Sequence, residues 1–228
     1  MKLFNLHTHH FSNDASILEL VNQYPWEFKE SIPYYSVGIH PWFIDENRLE
    51  ADLRLMEEKL PLESCLAVGE CGLDKRIEIP MNVQIEVFEK QIILAEHYQK
   101  PLILHVVAAF DELIAIKNKL NIGVPIIIHG FSKNAQVAKQ LVDNGFYVSF
   151  GKYLLRNPEM ETVFQSIPND RFFLETDTIE EALGAVYELA AKYKDITTDK
   201  LINIVNTKYN PVYKYNIYSL LAEGEEER

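Results

Sequence analysis

One pattern governs what this chain can fold into. A short apolar run closes on a histidine or a carboxylate, an amphipathic helical stretch follows, and the unit recurs after about 25 residues. Pro101-Leu-Ile-Leu-His105 precedes helical spacing over Phe110 to Leu120, and Gly123 to His129 precedes Lys133 to Asn144. Arg171-Phe-Phe-Leu174 delivers Glu175-Thr-Asp177 and precedes the helical Glu180 to Lys194, with a further helix expected over Thr198 to Asn206. The same unit appears upstream. Tyr34 to Ile39 reads as a strand delivering His40-Pro-Trp42, Asn47 to Leu60 as a helix stopped by Pro61, and Ser64 to Gly69 as a short apolar strand delivering Glu70. Asn82 to Gln99 is an amphipathic helix, Phe146 to Phe150 a strand and Pro158 to Ser166 a helix. Strand and helix in alternation, with ligand-type residues at successive strand C-termini, fit a parallel barrel whose active face is built from those ends. An open doubly wound sheet binds at one switch point and has no use for such residues on five or six strands. The expected fold is α/β, a TIM-like (β/α) barrel, in a single domain spanning residues 1–228.

The opening stretch, Lys2-Leu-Phe-Asn-Leu-His-Thr-His-His10, reads as a buried strand ending in an H-x-H pair. Alternate residues of a strand share a face, so His7 and His9 point the same way and offer two imidazoles to one metal ion. Ser16 to Tyr24 fits a strand or a short helix by periodicity; taken as the second strand, it brings the total to about eight, the number a TIM barrel closes with. Between His9 and His40 there is room for barely one helix, so the barrel is expected to lack one or more outer helices near the N-terminus. The Tyr-rich Tyr209 to Leu221 is expected to pack a last helix across the outside, and the acidic Glu223 to Glu227 to be a solvated tail.

Composition narrows the function classes. A chain of 228 residues that is 47% hydrophobic and 25% charged buries a sizeable core. No apolar run is long enough to span a membrane, and the histidine-bearing N-terminus does not resemble a secretion signal, so a cytoplasmic protein is expected. Cys65 and Cys71 lack C-x-x-C spacing and a second pair, and are read as reduced and buried. A formal charge of −12 counts against a large nucleic-acid footprint, although a metal ion reverses the sign locally inside a cleft.

Five of the seven histidines, His7, His9, His40, His105 and His129, lie at strand ends, with Glu70 and Asp177 in equivalent places; His10 and His97 are the exceptions. Imidazole nitrogens with carboxylate oxygens make a set suited to zinc, manganese, iron or nickel. A carboxylate directly after an apolar strand costs several kcal/mol unless it is paired, and a metal answers that cost.

Six segments in this order, Leu6-His-Thr-His9, Val37-Gly-Ile-His-Pro41, Val68-Gly-Glu-Cys-Gly-Leu-Asp74, Pro101 to His105, Ile128-His-Gly-Phe-Ser132 and Leu174-Glu-Thr-Asp177, run through nearly the whole chain. In them the chain resembles the TatD-type metal-dependent deoxyribonucleases and hydrolases of the amidohydrolase-like barrels. The resemblance implies two divalent ions, of zinc, manganese, iron, nickel or magnesium. One would be held by His7, His9, Glu70 and Asp177, the other by His105 and His129 with Glu70 shared. It also implies Asp177 as general base, Glu70 as a catalytic bridge and His40 as the substrate contact, with Glu175 supporting and Asp74 fixing a loop. The implied substrates are DNA ends or small phosphoesters, acted on by a monomer or weak homodimer. Hydrolysis of a carboxyl ester, lactone or amide, or metal binding with weak catalysis, are the alternatives.

The chain departs from the family pattern in four places. Asn5 stands where an aspartate is usual, which suggests a neutral partner for a metal-bound histidine. Val106 and Val107 replace a small residue and an arginine after His105. Thr178-Ile179-Glu180 replaces a proline and a substrate-lining loop, and Lys75-Arg76 follows the Gly-Leu-Asp segment. Lys75, Arg76, Lys133 and Lys152 are candidate replacements for the missing cation.

Overall fold

Nearly every position of β1 (Leu3–Thr8) and β2 (Ile17–Gln23) is buried, polar ones included, as in strands covered on both faces. The computed structural model describes residues 2–207. β3 (Tyr35–Val37), α1 (Leu49–Lys59), β4 (Cys65–Asp74), α2 (Met81–Tyr98), β5 (Leu102–Val107), α3 (Phe110–Leu120), β6 (Ile126–Ile128) and α4 (Ala135–Asp143) follow. The series ends with β7 (Tyr147–Phe150), α5 (Lys152–Arg156), α6 (Met160–Ser166), β8 (Phe172–Leu174), α7 (Leu183–Tyr193) and α8 (Thr198–Thr207).

The strands lie in one sheet in chain order from β1 to β8, with parallel pairings such as Leu3↔Ile17, Val68↔Leu102 and Val148↔Phe172. After β8, a parallel bridge between Thr8 and Asp177 joins the end of the series to its beginning. This is the TIM-like (β/α) barrel the sequence led us to expect. No α-helix separates β1 from β2, and a single 3-10 turn, Pro25–Glu27, lies between β2 and β3, so the missing outer helices fall where expected. No helix among the described residues is long and apolar enough to cross a membrane.

The chain divides into two compact units, one formed by the chain up to Val21 and from His129 onward, the other by Asn22–Ile128. In the first, Phe150, Phe164 and Phe172 meet edge to face with centroids 4.7–5.0 Å apart. In that unit the buried Tyr187 hydroxyl donates to the Phe4 carbonyl at 2.8 Å. In the second, α2 lies on the sheet through Val87, Phe88, Ile92 and Ala95, while its buried Gln84 and Gln91 serve backbone groups.

Three differences from the expectations have physical causes. β4 is ten residues long, so Glu70 sits inside the strand rather than after it. Val68 faces Leu102 and Cys71 faces Leu104, so two residues of β4, Gly69 and Glu70, oppose one of β5. A bulge of this kind re-aims a side chain. Only glycine fits there and at Gly72, because both have positive φ and a β-carbon at either would run into the β5 backbone. β1 carries a similar slip, since Asn5↔Glu19 is followed by Thr8↔Val21, and it ends at Thr8, leaving His9 just beyond. The short α5 had no forerunner in the sequence reading. The expected outer helix at Tyr209 to Leu221 and the tail at Glu223 to Glu227 lie outside the described residues.

Candidate metal centre

Each unit holds its own cluster of ligand-type side chains at the C-terminal part of its strands. In the first unit, His7 is fully buried on β1, His9 follows it, His129 follows β6, and Asp177 comes three residues after β8. Asp177 Oδ1 lies 3.9 Å from His7 Nε2 and 3.6 Å from His9 Nε2. The ring of His7 is 4.4 Å from that of His129 and 5.0 Å from that of His9. Asp177 is held by its backbone, its N–H donating to the His7 carbonyl at 2.9 Å while its own carbonyl accepts from His9 N–H at 3.1 Å. Its φ of 56° lies in the left-handed region, which aspartate tolerates better than most residues and which clusters at functional sites.

Behind this cluster sits Glu175, 1% exposed. Its Oε1 accepts from Gly130 N–H at 2.7 Å and lies 3.5 Å from His129 Nδ1. Burial pushes the Glu175 carboxyl up, but the His129 and His7 rings and Ser149 outweigh it and hold it below the usual carboxylate range. A carboxylate on one ring nitrogen of a histidine orients the other nitrogen outward, the usual support for a metal-bound imidazole. Asn5 does not play the part expected of it. Its Nδ2 donates to Thr176 Oγ1 at 2.8 Å and its Oδ1 accepts from Thr176 N–H at 3.0 Å, so it fixes the residue between Glu175 and Asp177.

In the second unit, Glu70 is the hub. His40 Nε2 is 3.1 Å and His105 Nδ1 3.2 Å from Glu70 Oε1. The Glu70 backbone N–H leaves the sheet ladder at the bulge and donates to Asn22 Oδ1 at 2.7 Å. His40 caps a 3-10 turn, Pro41–Phe43, with its Nδ1 accepting from Trp42 N–H, so the hydrogen is on Nε2 and is donated to Glu70. Gln91 brackets the preceding Ile39 backbone with two hydrogen bonds, at 2.7 and 3.1 Å.

Asp74 stands on the far side of His105, 3.1 Å from its Nε2, and also accepts from Trp42 Nε1 at 2.7 Å and Arg76 N–H at 2.8 Å. Burial raises the Asp74 carboxyl, yet the bonds from Trp42, Arg76 and His105 prevail and keep it below the usual carboxylate range. His105 thus lies between two carboxylates, Asp74 at Nε2 and Glu70 at Nδ1. In the tautomer whose Nε2–H is donated to Asp74, the Nδ1 lone pair beside Glu70 would suit a divalent cation held by both.

The donor chemistry therefore fits divalent metal in both units. His7, His129 and Asp177 each offer a ligand atom within 4.8 Å of the others, and so do His40, Glu70 and His105. All seven expected site residues fall into these two sets or, for His9, directly beside one. Trp42, Asn22, Gln84 and Gln91 were missed; the signal for the last two was a polar pair seven residues apart on the apolar face of a helix. Of the proposed replacement cations, Lys75 pairs with Glu112 at 2.6 Å.

A sequence model of the family described as TatD related DNase matches residues 2–215. The "uncharacterized metal-dependent hydrolase YabD" of Bacillus subtilis is 31% identical over 80% of this chain and 78% of its own length. A metal-dependent hydrolase of Haemophilus influenzae is 29% identical, the match covering 63% of this chain and 58% of that protein. Among solved structures, the TatD homologue YJJV of Escherichia coli superposes with a TM-score of 0.79 at 19% identity, covering 93% of this chain and 98% of that one. A TatD family hydrolase of Entamoeba histolytica gives 0.78 at 15% identity, covering 93% and 98%.

Proposed function

The chain belongs to the TatD related DNase family of metal-dependent hydrolases, and from that premise we propose that it is a phosphodiesterase acting on DNA ends or small phosphoesters with two divalent ions. The observation that carries this reading is the pair of histidine and carboxylate clusters at the strand ends. We assign His7, His9, His129 and Asp177 as ligands from one unit and Glu70 and His105 from the other, within one working domain of residues 1–228 in the cytoplasm. The free, buried Cys65 and Cys71 thiols suit such a reducing compartment.

Bound divalent ions would supply Lewis acidity at a phosphoryl oxygen and a lowered pKa for water. The chain's own residues do the rest. We assign Asp177, partly exposed and fixed by its backbone, the role of general base. Glu175 and Asp74 hold the His129 and His105 rings so that one nitrogen of each faces the ligand cluster. His40, expected from the sequence to contact substrate, donates to Glu70, and we assign it the task of holding that carboxylate.

Hydrolysis of a generic phosphodiester and of a carboxyl ester, with and without added manganese or zinc, tests this reading. Metal-dependent cleavage of the phosphodiester supports it. Cleavage of the carboxyl ester alone transfers the site to acyl chemistry, and inertness toward both in a metal-loaded protein overturns it.

A further inference from the structure

Asn22 has two polar ends, and the protein itself answers only one of them. It lies near the end of β2 and is 7% exposed. Its Oδ1 accepts from the Glu70 backbone N–H at 2.7 Å. A backbone N–H can only donate, so this bond fixes which way round the amide sits, with its oxygen at Glu70 and its Nδ2 turned away from that N–H. Nδ2 is buried and meets no acceptor among the described residues. A sealed donor without an acceptor is expensive, and in native proteins such groups pair with ordered water or serve a site.

The backbone around Asn22 is shaped for this reach. β3 lies between β2 and β4, so the bond from Glu70 to Asn22 spans it. Between them runs Gly38, whose N–H donates to the Gln23 carbonyl at 3.3 Å. A β-carbon on Gly38 would stand 2.8 Å from Gly69 Cα and 3.0 Å from the Glu70 carbonyl oxygen. Glycine at 38 therefore lets the bulge of β4 lean over the neighbouring strand until the Glu70 N–H meets Asn22.

The residue that Asn22 holds by its backbone meets the His40 and His105 rings through its side chain. Both ring nitrogens of His40 are engaged, by Trp42 N–H and by Glu70, and both of His105 face carboxylates. A metal ion is no acceptor for an N–H. The acceptor that suits Nδ2 is an oxygen, and a buried nitrogen suits a small one rather than a bulky ester.

We propose that Asn22 holds the attacking water at the Glu70 cluster, Nδ2 donating to that oxygen while Oδ1 keeps Glu70 aimed. This rests on the hydrolase reading above and adds to it the residue that positions the nucleophile.

Fluoride, an acceptor about the size of hydroxide, is the probe. Titrated into the protein at saturating cobalt and followed by the visible absorption of the metal, it reads the Asn22 contact without turnover. Asn22→Ala removes both the donor and the acceptor for Glu70, whereas Asn22→Asp keeps the acceptor and puts a carboxylate oxygen where the donor was. Both variants should bind fluoride about ten-fold or more weakly than the wild-type protein. Loss in Asn22→Ala alone would make Asn22 only a prop for Glu70, and loss in Asn22→Asp alone would reduce the effect to charge repulsion. Either result overturns the proposal, as does wild-type affinity in both variants or a wild-type protein that ignores fluoride. A protein that cleaves a generic phosphodiester yet gives one of those results refutes the role of Asn22 alone; one that shows the expected fluoride pattern but cleaves no ester refutes hydrolysis alone.

Discussion

The two ligand clusters solve the same problem by different means. In the first unit, the supporting carboxylate is sealed in the interior, since Glu175 is 1% exposed, and the candidate ligand Asp177 is locked by backbone hydrogen bonds in a left-handed conformation. In the second, Asp74 is tied to a half-exposed tryptophan, and the central Glu70 is aimed by a strand bulge. In the first cluster the backing carboxylate is sealed while His9 and Asp177 stay partly open, at 21% and 23% exposure. In the second, His40, Glu70 and Asp74 are themselves buried, and the exposed group is the Trp42 tied to Asp74.

Replacing ligands should have the largest effect. His129→Ala and Asp177→Asn are expected to abolish metal-dependent turnover while circular dichroism stays native; wild-type rates in both would dissolve the first cluster as a site. The supporting carboxylates come next. Glu175→Gln and Asp74→Asn should each weaken metal affinity by about 10- to 100-fold, measured by competition with a chelator, and only Asp74→Asn should also loosen the Trp42 indole, read as a change in tryptophan fluorescence. Identical behaviour of the two would remove the contrast between the clusters.

Much of this was legible because apolar strands that run straight into histidine or carboxylate are conspicuous. His7, His105 and His129 could be placed from that pattern, and the short link between His9 and His40 announced the absent helices. The extent of β4 was hidden because Gly69 read as the end of a strand, whereas it and Gly72 are what allow the strand to continue past the bulge. Gln84 and Gln91 read as ordinary polar positions of an amphipathic helix, yet they are buried and serve the Asp74 and Ile39 backbones. The role of Trp42 was invisible because its anchor, Asp74, is distant in sequence. Asn5 was noticed as a departure, but its partner Thr176 is 171 residues away.

Smaller effects probe the frame that carries each cluster. In the first unit, Tyr187→Phe removes the hydroxyl that bonds the β1 backbone at Phe4 and should cost about 1 kcal/mol in urea unfolding. In the second, burial raises the Tyr35 phenol to about 12. Its folded value thus exceeds the unfolded one of about 10, so its contribution is complete below pH ~10 and is lost as pH rises toward 12. Tyr35→Phe should flatten the alkaline fall in melting temperature over that window; an unchanged slope would place the alkaline sensitivity elsewhere.

Metal content per chain is the most direct test of the central claim. Elemental analysis after reconstitution with zinc or manganese should find two divalent ions in the wild-type protein, with fewer in Asp177→Asn and in Glu70→Gln. A reconstituted protein that holds no metal would contradict the account, because the histidines and carboxylates would then have converged for a purpose other than binding it.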